Sequence, residues 1–336
     1  MNMQERSKVL VVGATGTVGG AAARALVASG AQVRALVRSP ERAKQLAGVE
    51  IMQGDLADPA ALRQALTGVQ TALYVSPHET NEVFLAETFI ALCEELGLRL
   101  VFIGVHVDGR TRFSRAVRRF LLGRLLSTYK PKAYISERAR NSKTNCIVLM
   151  PTNFFDNDVI FREELLGGRF VQPFERPINR VAVRDIGEAA ARACLDSTLP
   201  SGAYPVVGPV SLDGAACASV WSEALGRNVT YQPDNELFRA AVARSLTGKK
   251  ASDFVSSYAA IRNFELPTSK QDLARTTSLL GRPPTSYAEY VKELAEQWNG
   301  SHKLPHAPEP CFNSSSVDQG LKKNHFESSG FLVERI

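Results

Sequence analysis

The sequence predicts an α/β protein, a doubly wound parallel sheet with a smaller, mostly helical C-terminal region. Three observations predict it. Short apolar runs alternate with stretches of helical period over residues 9–150, the pattern of right-handed βαβ units. The runs are apolar throughout, as in strands covered on both faces. The first run opens into a glycine-rich turn and then a helical pattern that ends at Gly30, where a C-terminal glycine cap belongs.

The elements follow in order. Strands are expected over residues 9–12, 32–37, 49–53, 71–75, 98–103 and 146–150. Helices are expected over 40–46, with Pro40 in its first turn, 59–66 and 81–96, the last capped by Asn81 and stopped at Gly97. An amphipathic helix over 112–126 and a second over 131–141 precede the sixth strand. Residues 181–193 read as a short strand and a helix entered through Asp185 and Glu188, a capping-box spacing that makes Asp185 a helix cap. Strands over 203–207 and 228–232 flank a helix over 212–225, and further helices are expected over 236–246, 251–263 and 286–298. From Asn299 onward the composition turns to Ser, Pro, His and Asn without period, which predicts a disordered tail over 299–336.

Composition narrows the classes. Hydrophobic residues make up 44% and charged residues 22% of 336 positions, which describes a globular protein with an ample core. The first residues are followed by no signal-peptide core, and Arg24 with the glycines interrupts the most apolar stretch, so a cytoplasmic protein without a membrane span is expected. The five cysteines share no C-x-x-C spacing, and the four that fall inside apolar element patterns read as buried reduced thiols. Prolines interrupt the irregularly spaced His302, His306, Cys311 and His325, so no metal site is predicted. The net charge of +6 is local: eleven basic residues, Arg110 the first and Lys143 the last, stand against the single acid Glu137. This stretch is a candidate site for an anionic ligand; nucleic acid is not the expected partner.

The glycine turn carries the chemistry. Gly13, Gly16 and Gly19 stand between a buried strand and a helix start, whose free N–H groups and positive dipole end attract phosphate. Small residues let the backbone approach a pyrophosphate closely. The spacing differs from Gly-x-Gly-x-x-Gly, and a plain tight turn would also use three glycines.

Further along, six pieces accumulate in order: Gly13-Ala-Thr-Gly-Thr-Val-Gly19, Val33-Arg-Ala-Leu-Val-Arg38, Gly54-Asp-Leu56, Pro151-Thr-Asn-Phe-Phe155, Val181-Ala-Val-Arg-Asp-Ile186 and Gly281-Arg-Pro-Pro-Thr-Ser-Tyr287. In this the chain resembles the NmrA-like group of atypical short-chain dehydrogenase/reductases, which includes quinone and azo-dye reductases, isoflavone-reductase relatives and non-catalytic redox sensors. The resemblance implies a Rossmann-type NAD(P)-binding domain over 1–155 and a substrate-binding region over 156–298 partly interleaved with it. It implies that Gly13, Thr15, Gly16, Thr17, Val18 and Gly19 hold the pyrophosphate and that Arg38 meets the adenosine ribose. Asp55 and Leu56 would flank the adenine, with Val75 and Ser76 beside the nicotinamide ribose. An NAD site places an acid at the end of the second strand. Here Val37 and Arg38 stand there, and a guanidinium bonds a 2′-phosphate that a carboxylate would repel, so NADPH is expected over NADH. Arg34 reads as a solvated surface residue.

The catalytic residues are less legible. The Tyr-x-x-x-Lys pair of typical short-chain dehydrogenases is absent. The weak candidates are Tyr134, with Arg138 one turn on, Lys132, near the lysine of isoflavone-reductase relatives, and His106 in the loop after the fifth strand. Quinones and azo compounds accept hydride at an activated centre and can take the proton from water, so catalysis then rests on positioning. Asn153, Phe154 and Phe155 would line the acceptor pocket, aromatic walls suiting flat molecules. The first expectation is an NADPH-dependent reductase of a small electrophilic acceptor, as a monomer or homodimer. The alternative is an NADP(H)-binding sensor that acts through a protein partner without turnover.

Overall fold

The structure, a computed structural model, describes residues 7–77, 79–105, 130–262 and 268–300. The first half alternates β1 (Lys8–Val12), α1 (Thr17–Ala28), β2 (Gln32–Val37), β3 (Val49–Gln53), α2 (Pro59–Leu66), β4 (Thr71–Val75), α3 (Glu82–Glu95) and β5 (Arg99–Ile103). Then come α4 (Lys130–Arg140), β6 (Cys146–Pro151), β7 (Asn153–Phe154), α5 (Arg162–Leu166), β8 (Arg169–Phe170), β9 (Ile178–Val181), α6 (Val183–Leu195) and β10 (Gly202–Val206). The rest comprises β11 (Ser211–Leu212), α7 (Gly214–Leu225), β12 (Thr230–Tyr231), α8 (Asn235–Ser245), α9 (Gly248–Ile261), α10 (Lys270–Leu280) and α11 (Tyr287–Gly300).

Seven parallel strands form one sheet in the order β10-β6-β5-β4-β1-β2-β3. Val9, Leu10 and Val11 of β1 are fully buried because both faces of the sheet are covered, as their unbroken apolar run requires. One face packs against α1 and α6, the other against α2, α3 and α4. The chain winds outward from β1 to β3 and then crosses to β4, so the carboxyl ends of β1 and β4 bound the crevice where such sheets bind ligands. Pro205, which has no N–H to donate, is tolerated because β10 is an edge strand.

Past β6 the chain builds a three-stranded sheet, β11-β9-β7, and a pair, β12-β8. Stacked rings of Phe161, Phe174, Phe238, Phe254 and Tyr258 fill the space under α8 and α9. The described residues up to Glu296 cluster into one compact unit. Cys93, Cys146, Cys194 and Cys217 are buried free thiols, and burial pushes Cys194 up to about 12.

Several local expectations change. The expected helix over 40–46 is a 3-10 turn, Pro40–Ala43. Helix α10 answers to no expected element, although Ser269 caps it through the Asp272 N–H and Gly281 ends it at φ 72°; its weak apolar stripe hid it. Asn81 precedes α3 but makes no side-chain cap bond. Asp185 is not the cap of α6. It sits fully buried in the first turn and accepts from the Thr285 N–H at 2.7 Å, the Thr285 hydroxyl at 2.9 Å and Arg282 at 2.7 Å. The partner lies a hundred residues away, and no local spacing encodes it. Arg34 is likewise no solvated residue: it donates to Glu50 at 3.0 Å and to the carbonyls of Ala65 and Thr67 at 2.8 Å each, closing the end of α2. The expected helix over 112–126 lies outside the described residues.

Candidate functional site

The loop from β1 to α1 is wound as tightly as a backbone allows. Gly13 has φ 81°, and a Cβ there would sit 3.1 Å from Val75 on the neighbouring strand. A Cβ on Gly19 would lie 2.1 Å from the Gly13 carbonyl oxygen, so α1 presses its first turn directly onto the loop. The Gly16 N–H donates to the Gly13 carbonyl at 2.9 Å. At this helix start no side chain caps the free N–H groups and the first turn holds no acid. By contrast Asp58, Asp213 and Asp234 cap α2, α7 and α8. Free donors at a positive helix end over a glycine cradle fit a phosphate. Thr15, Thr17 and Val18 belong to the same turn, Val18 facing the core at 7% exposure.

Arg38 follows β2, exposed, with its guanidinium 2.8 Å from Glu79. Asp55 follows β3, where its carboxylate accepts the Ala57 N–H at 2.8 Å and shapes the turn. Leu56 packs half-buried against the core.

Val75 and Ser76 stand at the carboxyl end of β4. The Ser76 hydroxyl lies 3.4 Å from Glu82 Oε2, and Lys132 Nζ donates to that oxygen at 2.8 Å. Glu82 is 1% exposed. Its other oxygen, Oε1, has no hydrogen-bond partner among the described residues, and neither has the buried hydroxyl of Tyr74. Lys249 Nζ is 3.7 Å from Oε1 and donates to Asp253 at 2.6 Å. Sequence reasoning named Lys132 but missed Glu82 and Lys249, which the fold joins to it across fifty residues or more.

Tyr134 and Arg138 do not form the cation-assisted pair expected of them. The Tyr134 hydroxyl donates to Glu87 at 2.6 Å on an open surface, and that carboxylate pushes the phenol up. Arg138 turns to Glu94 in a two-pronged bond at 2.9 and 3.0 Å, which holds Glu94 down at about 2. Each side chain is taken by an acid of α3. His106 and most of the basic stretch lie outside the described residues; Lys132 and Arg138 within it are paired.

The segment Asn153, Phe154 and Phe155 is anchored from behind. Arg180 donates to the Phe154 carbonyl at 2.9 Å and to Asn153 Oδ1 at 3.4 Å, while the Phe155 ring, 2% exposed, packs 5.0 Å from Tyr287. Phe154 stays half-buried. Arg180 itself is buried against Asp158 at 2.5 Å. Asp158 also accepts from Gln172 at 2.6 Å, Trp221 at 3.1 Å and Tyr287. Burial and the Asp158 charge push the Tyr287 phenol far up. Nothing in the local sequence marks this network, whose members meet only in three dimensions.

A groove of about 930 Å³ runs between α1 and α6 from Thr15 and Gly16 to Leu195, past Arg24, Arg184 and Arg192. Its walls do not include Arg38, Asp55 or Ser76, so it is not the crevice those residues bound. Among the described residues no three side chains form a metal-ligating group. No described helix is long and apolar enough to cross a membrane.

Comparisons with known proteins match the family and the fold. A family model described as the NmrA-like family matches residues 5–247. An NAD(P)H azoreductase of Xenophilus azovorans is 26% identical over 85% of the chain and 98% of its own length. An NADPH-dependent quinone oxidoreductase of Escherichia coli, solved with NADPH, superposes with a TM-score of 0.68 at 23% identity, covering 85% of this chain and 99% of that one. NmrA, a negative transcriptional regulator, superposes with a TM-score of 0.70 at 16% identity, covering 90% and 99%. With a matched family model spanning most of its length and the glycine cradle at the expected strand end, the chain belongs to the NmrA-like family.

Proposed function

We propose that the chain is an NAD(P)H-dependent reductase, NADPH-preferring, that passes hydride to a small electrophilic acceptor of quinone or azo type. The observation that carries the reading is the uncapped start of α1 above the Gly13 to Gly19 turn, placed at the crevice between β1 and β4. The name of the azoreductase relative supports it.

The residues present fit a dinucleotide. The turn would hold its pyrophosphate through backbone N–H groups, with Asp55 and Leu56 about the adenine and Val75 and Ser76 beside the nicotinamide ribose. Arg38 would meet the 2′-phosphate. Its exposed pair with Glu79 contributes about 0–1 kcal/mol, whereas a charge-assisted bond to a phosphate would contribute about 1.5–3 kcal/mol, so Arg38 would be free to exchange Glu79 for the 2′-phosphate. Bound there, the reduced nicotinamide supplies the hydride. Lys132, held by Glu82 beside Ser76, places an ammonium where it offsets the charge an acceptor gains and can return a proton, solvent then recharging the amine. Phe154 would give a flat wall against the acceptor.

The test is NADPH oxidation by the purified chain with menadione and with methyl red, followed at the reduced-nicotinamide absorbance. Acceptor-dependent oxidation is expected. The second reading, a sensor without turnover, draws on the engagement of Tyr134 by Glu87; NADPH binding with no oxidation across the acceptors would establish it in place of the first.

A further inference from the structure

Helix α9 is held at its two ends by different means. Of its fourteen residues only Asp253 and Tyr258 are buried. Tyr258, near the C-terminal end, stacks on Phe174, and its hydroxyl lies 3.2 Å from Gln172 Oε1 and 3.4 Å from Asn153 Oδ1 and accepts from Asn157 at 3.0 Å. The N-terminal end has no such apolar seat. It meets the edge of the main sheet through Lys249, whose ammonium sits between Asp253 at 2.6 Å and Glu82 at 3.7 Å. Tyr258 stands nine helical steps after Lys249, about 14 Å at 1.5 Å per residue, enough to lie along an acceptor of two or three rings. One end thus touches the Ser76 side of the crevice and the other touches Asn153.

Glu82 gives this tie its strength. A carboxylate at 1% exposure is costly unless its charge is compensated and its oxygens are bonded. Lys132 satisfies Oε2; Oε1 has only Lys249 within ion-pair range and no hydrogen bond among the described residues. Among the described residues the other titratable groups about it are Tyr74, whose phenol burial and then the Glu82 and Glu79 charges push up, and Asp253. Burial works to lower the Lys249 ammonium, but Asp253 and Glu82 hold it above its ordinary value.

We propose that Lys249 is a positioning residue that seats α9 as the outer wall of the acceptor site, anchoring its first turn on the buried carboxylate of Glu82 while Tyr258 anchors its far end on Phe174 and Gln172, next to Asn153. The inference rests on the reading of this crevice as an acceptor site, but its test does not depend on turnover. Methyl red is titrated into the NADP⁺-saturated protein and its visible spectrum followed, for wild type, Lys249→Met and Lys249→Arg. Lys249→Met should weaken methyl red binding about tenfold and leave the NADP⁺ dissociation constant within about twofold, and Lys249→Arg should recover most of the loss. In a Glu82→Gln background Lys249→Met should add little, since the tie is already cut. The inference is overturned if wild type and Lys249→Met bind methyl red equally. It is also overturned if Lys249→Met loses dye and NADP⁺ affinity in parallel, or if the wild-type complex shows no saturable binding. Binding that follows the expected pattern without any NADPH oxidation would remove the reductase reading and leave the role of Lys249 standing.

Discussion

Two buried carboxylates, one in each half of the molecule, are treated in opposite ways. Asp158, beneath the C-terminal region, is fully enclosed and takes hydrogen bonds from Arg180, Gln172, Trp221 and Tyr287. Glu82, at the edge of the main sheet, is as deeply buried but has one oxygen without a hydrogen bond among the described residues. A carboxylate with every lone pair engaged is a pin: it gains nothing from a ligand and holds its surroundings in one arrangement. A carboxylate with spare capacity between two lysines beside the crevice can still answer to what binds there. The two are equally buried and differ in how many of their lone pairs are engaged.

The same contrast runs between the glycine turn and the segment about Asn153. The turn is built from backbone groups and the absence of side chains, whereas that segment is held by pairs such as Arg180 with Asp158. Four substitutions press on that contrast. The largest effect is expected of Asp158→Ala, which strands the Arg180 charge in the interior and should cost about 3–5 kcal/mol in urea unfolding. A loss below about 1 kcal/mol would show that the network is no pin.

Next comes Gly19→Ala. The added methyl meets the Gly13 carbonyl, so the turn must open; about 1–3 kcal/mol of stability and at least tenfold in NADPH affinity should go, the latter read by calorimetry. Retained affinity would mean that the pyrophosphate is not seated on this turn. Arg38→Ala should leave the fold intact and reduce the preference for NADPH over NADH about tenfold, measured as the ratio of the two dissociation constants. An unchanged ratio would hand the 2′-phosphate to another residue.

The smallest effect concerns pH. Arg138 holds Glu94 at about 2, below its ordinary 4.5, so the stability this pair contributes is present above the unfolded value and is lost as pH falls toward 2. In urea titrations between pH 6 and pH 2, Glu94→Gln should be less stable than wild type at the upper end, and the two should converge at the lower. A constant gap would assign the loss to packing rather than charge.

Tertiary structure reassigned residues wherever the partner lay far along the chain. Asp185 has the spacing of a helix cap, yet its oxygens go to Thr285 and Arg282. Arg34 reads as a solvated surface residue, yet it closes the end of α2, while Arg38 four residues on remains at the surface. Tyr134 and Arg138 share a helical face, and each was claimed by a glutamate of α3.

By itself the sequence determined the strand order's raw material, the covered sheet and the glycine turn, because these depend on neighbours within a few residues: an apolar run, three small residues, a helix start. It could not assign the partners of Glu82, Asp158 or Lys249. A side chain's charge is written in the sequence, but whether that charge is compensated, and by what, is settled only when distant segments are packed against one another and water is excluded between them.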